Sequence, residues 1–274
     1  MVFQSLADAR DYVLSNDEDY FITDEIIRGV SFKVFKNGPK LIPDILNLCL
    51  NHKEKDFLVF DKERYSFGEF HQLTCQIAHL LMDEYSIRSG DRVAILMKNS
   101  PEFPLIFMAL SSIGAVAVCL NSWWTSDELK YGFMDSKVKL VFTDEQRLAK
   151  IKGFVSEMGV QTVLCRHQNS DKSDEFWNSL LTSKNNELPR TTIDQDSDFA
   201  VMYTSGSTGH PKGVVMTHRG AISTLMSWHF GLRVLDVMGL GPVPYVDKNN
   251  QPYQPCQLVS VPFFHVSGTH GGLL

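Results

Sequence analysis

Short apolar runs alternate along this chain with longer stretches in which apolar residues recur every three or four positions. Phe57-Leu58-Val59-Phe60 has the length and character of a strand. Ser66-Phe67-Gly68-Glu69 is a capping-box pattern, and behind it Phe70, Leu73, Ile77, Leu80 and Leu81 fall on one helical face. Gly90 marks a helix stop or turn before a strand at 92–96. Residues 103–120 carry no charge and are nearly long enough to cross a bilayer. Pro104, Ser111, Ser112 and Gly114 interrupt that stretch, so it predicts a buried helix to about Ser112 and then a buried strand at 115–120. Further strands are predicted at 139–142, 162–165, 199–203 and 257–261, and helices at 145–158 and 217–230. Residues 167–198 are polar and predict a surface loop with one helical turn at 175–181; 239–255 predicts a second loop.

This alternation of strands and helices predicts an α/β fold with a mostly parallel sheet. Composition changes that picture little. The chain has 274 residues, 43% of them hydrophobic and 21% charged, enough for a sizeable core. A formal charge of −6 argues against a broad basic face for nucleic acid. Asp8, Asp11, Asp17, Glu18 and Asp19 crowd the first twenty residues, which fits neither a transit nor a signal peptide and points to an intracellular, cytoplasmic protein. The five cysteines are scattered, with no C-x-x-C pair, and predict buried thiols rather than a disulfide framework.

Candidate chemistry concentrates in Tyr203-Thr204-Ser205-Gly206-Ser207-Thr208-Gly209-His210-Pro211-Lys212-Gly213, read as a loop between a strand and a helix. Glycines let a phosphate approach the main-chain N–H groups. Thr204, Ser205, Ser207 and Thr208 add hydroxyls, and Lys212 adds a mobile cation. This is not the common P-loop, which needs Gly directly before and Ser or Thr directly after the lysine.

The string resembles the signature loop of the adenylate-forming superfamily: acyl-CoA synthetases, firefly luciferases and the adenylation domains of peptide synthetases. Tyr65-Ser66-Phe67-Gly68-Glu69, Gly90-Asp91-Arg92-Val93-Ala94-Ile95, Gly114-Ala115-Val116 with Leu120-Asn121, and Trp123-Trp124-Thr125 with Glu128-Leu129 resemble further segments of that superfamily in the same order. Val261-Pro262-Phe263-Phe264-His265-Val266-Ser267-Gly268 is similar to a segment that lies beside the carboxylate substrate in acyl- and aryl-CoA synthetases. Taken alone, His265 reads as a core histidine at a strand end. With the phosphate loop upstream, the resemblance makes it the residue near the reacting acyl group, and favours a plain carboxylic acid over an amino acid. His265 and His270 could be imagined as a metal pair, but no Cys, Asp or Glu lies in 260–274 to complete one. Trp123 and Trp124 read as packing rather than a cofactor surface.

The resemblance implies an AMP-forming acyl-CoA synthetase that uses ATP, Mg²⁺ and coenzyme A. It implies Thr204, Ser205, Gly206, Ser207, Thr208, Gly209 and Lys212 as the phosphate cradle, with Ser207 helping to hold Mg²⁺. It divides the chain into an extension at 1–40 and a partial AMP-binding domain at 41–274. The superfamily's Y-G-x-T-E segment, ribose-binding aspartate motif and C-terminal domain do not occur here. The expectation is therefore an incomplete N-terminal domain, inactive as the 274-residue chain alone, with a non-catalytic binding or interaction protein as the alternative.

Overall fold

The structure, a computed structural model, describes residues 3, 5–167, 172–182, 185–205, 209–241, 246, 248–250 and 253–274. Contacts divide the chain into two compact units, 1–40 with 219–258, and 41–218 with 259–274.

The first unit opens with α1 (Leu6–Asn16), whose N-terminus is capped by the Ser5 hydroxyl. A hairpin of β1 (Ile22–Ile27) and β2 (Val30–Phe35) follows. Arg28 and Gly29 both have positive φ, 50° and 82°, as a tight two-residue hairpin turn requires. Ala9, Val13 and Val234 form its small core, with Tyr20 and Phe230 packed against it. Glu25 pairs with Arg219 at 2.8 Å and Asp17 with Arg233 at 3.0 Å. Residues 1–40, set apart as an extension by sequence, thus share a unit with 219–258.

The second unit starts with α2 (Ile42–Leu48), the hairpin β3 (Asp56–Phe60) and β4 (Glu63–Ser66), and α3 (Phe67–Asp83). The capping box at Ser66 and Glu69 forms in both directions. Then come β5 (Arg92–Leu96), α4 (Glu102–Ser112), β6 (Val116–Cys119), α5 (Ser126–Ser136), β7 (Leu140–Asp144), α6 (Glu145–Ile151), β8 (Gln161–Arg166), α7 (Asp174–Thr182), β9 (Asp198–Thr204) and β10 (Lys212–Thr217); α8 (His218–Val237), which follows in the chain, belongs to the first unit from Arg219 on. Six strands make one sheet in the order β10-β9-β6-β5-β7-β8, parallel throughout except for β10 against β9. The expected α/β fold with a mostly parallel sheet is therefore observed.

Every residue of α4 is buried, which explains its membrane-like sequence. Ser111 and Ser112 cost little there because their hydroxyls donate to the Phe107 and Met108 carbonyls four residues back, at 2.9 and 2.7 Å. Among the described residues no helix is long and apolar enough to cross a membrane.

Four expectations change. Residues 257–261 form no strand; they have no regular structure and are mostly exposed, and Pro262 behind them cannot donate to a ladder. The helix expected to Met158 ends at Ile151, where turns around Gly153 and Gly159 take over. α7 is longer than a single turn. Only Cys75, Cys119 and Cys165 are buried; Cys49 is partly so and Cys256 is exposed.

His218, at the end of β10, is fully enclosed beside Phe199. Its Nδ1 accepts the Ile42 N–H at 3.2 Å, and its Nε2 has no partner among the described residues. Burial pushes its pKa down to about 4. In the unfolded chain the same group titrates near 6.5. The unfolded state therefore binds more protons between those values, and stability should fall as pH drops from about 6.5 to 4. Urea unfolding across that range should show the slope in the wild type and a flatter one in His218→Gln. His71 and His270, also lowered by burial, leave a residual slope of the same sign.

Candidate active site

β9 carries the hydroxyl- and glycine-rich segment to the C-terminal edge of the sheet. It ends at Thr204, β10 begins at Lys212, and the two residues face each other in the antiparallel register. Directly opposed residues in such a ladder stand about 5 Å apart, so Thr204 and Lys212 stand side by side where β9 ends and β10 begins. The Thr204 hydroxyl donates to the Lys212 carbonyl at 3.4 Å. A strand, not the expected helix, follows the loop, and Lys212 and Gly213 belong to it. The reason is pairing: Val214 and Val215 are strand formers set against Met202 and Val201. Thr204, Ser205, Gly209 and Lys212 are all exposed, and Lys212 makes no ion pair among the described residues. Gly209 has φ +92°, a left-handed conformation that favours glycine. Gly206, Ser207 and Thr208 lie outside the described residues.

α5 braces both sides of this loop. The Tyr203 hydroxyl donates to the Asp135 carboxylate at 2.7 Å. Burial, with the Asp135 carboxylate beside it, raises the Tyr203 pKa and keeps the phenol a donor. Tyr131 stacks on His210 with ring centres 4.9 Å apart and planes 22° apart. Sequence reasoning missed both partners. Their signal is the i, i+4 spacing of Tyr131 and Asp135, which places them on one helical face, behind the capping box of Thr125 and Glu128.

The second predicted element is a turn that leads into α9 (Val266–Gly272), with His265 at its N-cap position. Phe263 and Phe264 are buried. Phe263 lies 5.4 Å from the Phe103 ring, and Phe264 meets Trp123 edge-on at 5.3 Å. Trp124 packs in the core as expected, but Trp123 is 66% exposed. The His265 imidazole is half-buried, tilted against Phe264 at 4.6 Å, and makes no hydrogen bond among the described residues. α9 rests on β9: the Thr269 hydroxyl lies 3.9 Å from the Met202 sulfur, and His270 packs against Phe199.

Gly268 is fixed by space. A Cβ there would stand 2.2 Å from the Pro262 carbonyl oxygen, which is backbone and cannot swing away. Gly268→Ala should cost about 1–3 kcal/mol, as overpacking does. Urea unfolding of the variant against the wild type measures it, and an unchanged midpoint would refute the contact.

A third feature sits on the same edge. A cavity of about 220 Å³ is lined by Lys98, Asp144, Gln146, Arg147 and His167, at the ends of β5, β7 and β8. The chain leaves β5 toward β6 on one side and leaves β7 toward β8 on the other. The cavity thus lies at the topological switch point, where open α/β sheets bind ligands.

The family model described as "AMP-binding enzyme" matches residues 48–274. The chain belongs to the AMP-binding enzymes. It is 33% identical over 195 residues to 4-coumarate–CoA ligase CCL1 of Humulus lupulus, an overlap of 70% of this chain and 33% of that protein. With 4-coumarate–CoA ligase 3 of Arabidopsis thaliana it shares 31% identity over 212 residues, 77% of this chain and 35% of the relative. Among solved structures, the inhibitor-bound N-terminal domain of FACL13 from Mycobacterium tuberculosis superposes with a TM-score of 0.67 at 27% identity. That match covers 85% of this chain and 54% of the other. This AMP-binding chain thus spans about a third of the length of the curated relatives it matches. Both the phosphate-loop segment and the His265 segment lie within the family match.

Proposed function

We propose that this chain supplies the nucleotide-phosphate loop and the acid-side segment of an adenylate-forming acid–CoA ligase. The reaction is a carboxylate attacking the α-phosphate of ATP to give an acyl adenylate and pyrophosphate, followed by transfer of the acyl group to the thiol of coenzyme A. One observation carries the reading. The β9–β10 loop, the His265 segment and the switch-point cavity all gather at the C-terminal edge of one sheet.

Each part has a role that fits its chemistry. Thr204, Ser205 and Lys212 are exposed donors and a cation that suit a polyphosphate, and the resemblance adds Gly206, Ser207, Thr208 and Gly209 to the cradle. Among the described residues no group of three His, Cys, Asp or Glu could cage a metal. By the resemblance, the Ser207 hydroxyl would help to hold Mg²⁺ at the phosphates of the nucleotide. His265, with a free imidazole beside Phe264, faces the acyl group of a plain carboxylic acid. The switch-point cavity is polar, with Lys98, Gln146 and the Arg147–Asp144 pair in its lining, and would take a polar part of a ligand. The relatives' names favour an aromatic acid such as 4-coumarate, and the likeness to a Mycobacterium tuberculosis fatty acyl CoA synthetase favours a fatty acid, so both belong in the assay.

Two measurements test the proposal: titration of the chain with MgATP by calorimetry, and radiolabelled pyrophosphate exchange into ATP with a panel of aromatic and fatty acids. Saturable MgATP binding is expected of this chain, and acid-dependent exchange of a ligase that joins it to the superfamily segments that do not occur here. No binding of MgATP would sink the reading.

A further inference from the structure

The His265 segment has no strand to hold it, yet it is gripped at several points. The strongest grip comes from Asn99, three residues beyond the end of β5. Its Nδ2 donates to the Val261 carbonyl at 2.9 Å, and its Oδ1 accepts the Phe263 N–H at 2.9 Å. One side chain thereby satisfies a carbonyl and an amide two residues apart, as a neighbouring strand would have done. Below it, Phe103 of α4 packs against Phe263; beyond it, Trp123 meets Phe264. The next residue is His265. Its backbone is fixed by its own N–H to the Pro262 carbonyl at 3.1 Å, while its side chain is left without a hydrogen bond among the described residues.

We infer that Asn99 is a positioning residue, whose amide clamps the 261–263 backbone onto the end of β5 and so sets where His265 stands at the sheet edge. The inference rests on the proposed role of His265 beside the acyl group. A fixed catalytic neighbour needs its support held to within a fraction of an ångström. The amide is suited to this because it is uncharged and carries a donor and an acceptor in one plane. Alanine offers neither. Aspartate offers the acceptor but sets a negative charge against the Val261 carbonyl.

Hydrogen exchange on the full chain tests the clamp without any activity. In Asn99→Ala the Phe263 amide should lose protection by about tenfold, while amides of β5 keep theirs. In Asn99→Asp the Phe263 amide should stay protected, since its acceptor survives. The His265 ring signals in proton NMR should move toward those of an exposed histidine in Asn99→Ala, while those of His218 and His270 stay in place. Unchanged protection at Phe263 in Asn99→Ala, or unmoved His265 signals, would overturn the inference. Acid-dependent pyrophosphate exchange supplies the functional half: Asn99→Ala should lower kcat about tenfold with KM for ATP unchanged, and Asn99→Asp should recover part of it. A loss confined to KM for ATP, or no loss, would overturn the positioning role. A wild-type ligase carrying this segment but without such exchange would overturn the proposed reaction instead, and the clamp would then be decided by Phe263 and His265 alone.

Discussion

Replacing Glu102 with alanine should destabilise the fold by about 3–5 kcal/mol, the usual consequence of stripping one partner from a buried ion pair. Glu102 is the first residue of α4 and is completely buried. It accepts from Arg166 at 2.7 Å through Nη2 and at 3.1 Å through Nε, and from the Trp177 indole at 3.2 Å. Arg166 is 1% exposed and sits over the Phe60 ring. Its other edge meets Glu63 at 2.7 Å, and Glu63 is also reached by the Tyr65 hydroxyl and by Lys172. Burial alone would raise the Glu63 carboxyl, but the hydrogen bonds from Arg166 and Tyr65 outweigh it and hold the pKa below its usual value. Two cations and two anions thus balance in a place with little water, tying β4, α4, β8 and α7 together. Removing Glu102 leaves the guanidinium half-paired. Removing both Glu102 and Arg166 leaves Glu63 with Lys172, so the double variant Glu102→Leu with Arg166→Leu should cost less than the sum of the single changes. Urea unfolding at neutral pH of the four proteins gives the cycle. Additive costs would show that the groups act independently.

None of that network could be read from the sequence. Glu63, Glu102 and Arg166 are far apart in the chain and stand in no local pattern, and only the topology brings them to one point. Elements whose signals are local were legible. The capping box at Ser66 announced α3, and the charge-free stretch broken by Pro104 and Gly114 announced α4 and β6. The resemblance of the 203–213 string to the adenylate-forming signature led to the family that the comparisons show. What local pattern misjudged is equally physical. Residues 257–261 have strand character, but strands need partners and Pro262 offers no donor. The 203–213 string reads as a loop between a strand and a helix and gives no sign of β10, whose identity comes from pairing with β9. The hairpin at β1 and β2 was missed because Ile22 and Ile26 are its exposed side chains, 43% and 73%, so apolar alternation there does not mark a core face. Within the candidate site, the loop residues and His265 were named from resemblance. Asn99, Tyr131 and Asp135 were not, since each acts through a contact made in space.

In a ligase that carries this segment, Lys212→Ala should slow acid-dependent pyrophosphate exchange by about 100- to 1000-fold, equivalent to about 2.7–4 kcal/mol, the loss typical when one donor to a developing charge is removed. Lys212 is suited to that role by where it stands. It opens β10 directly across from Thr204, so its backbone is held by the ladder while its side chain is exposed at the mouth of the loop. The ammonium therefore needs no partner to be broken before it meets a phosphate. A leaving pyrophosphate gains negative charge as the bond to the α-phosphate breaks, and a cation fixed nearby stabilises that state more than it does bound ATP. The effect should accordingly appear mainly in kcat, with a smaller weakening of MgATP binding seen by calorimetry. Lys212→Arg should not restore full activity, because a planar guanidinium replaces a point charge in a loop built on close approach. Thr204→Ala should have a milder effect, since its hydroxyl already donates to the Lys212 carbonyl and braces the loop's base. Equal rates for Lys212→Ala and the wild type, with unchanged calorimetry, would take the phosphate away from this loop.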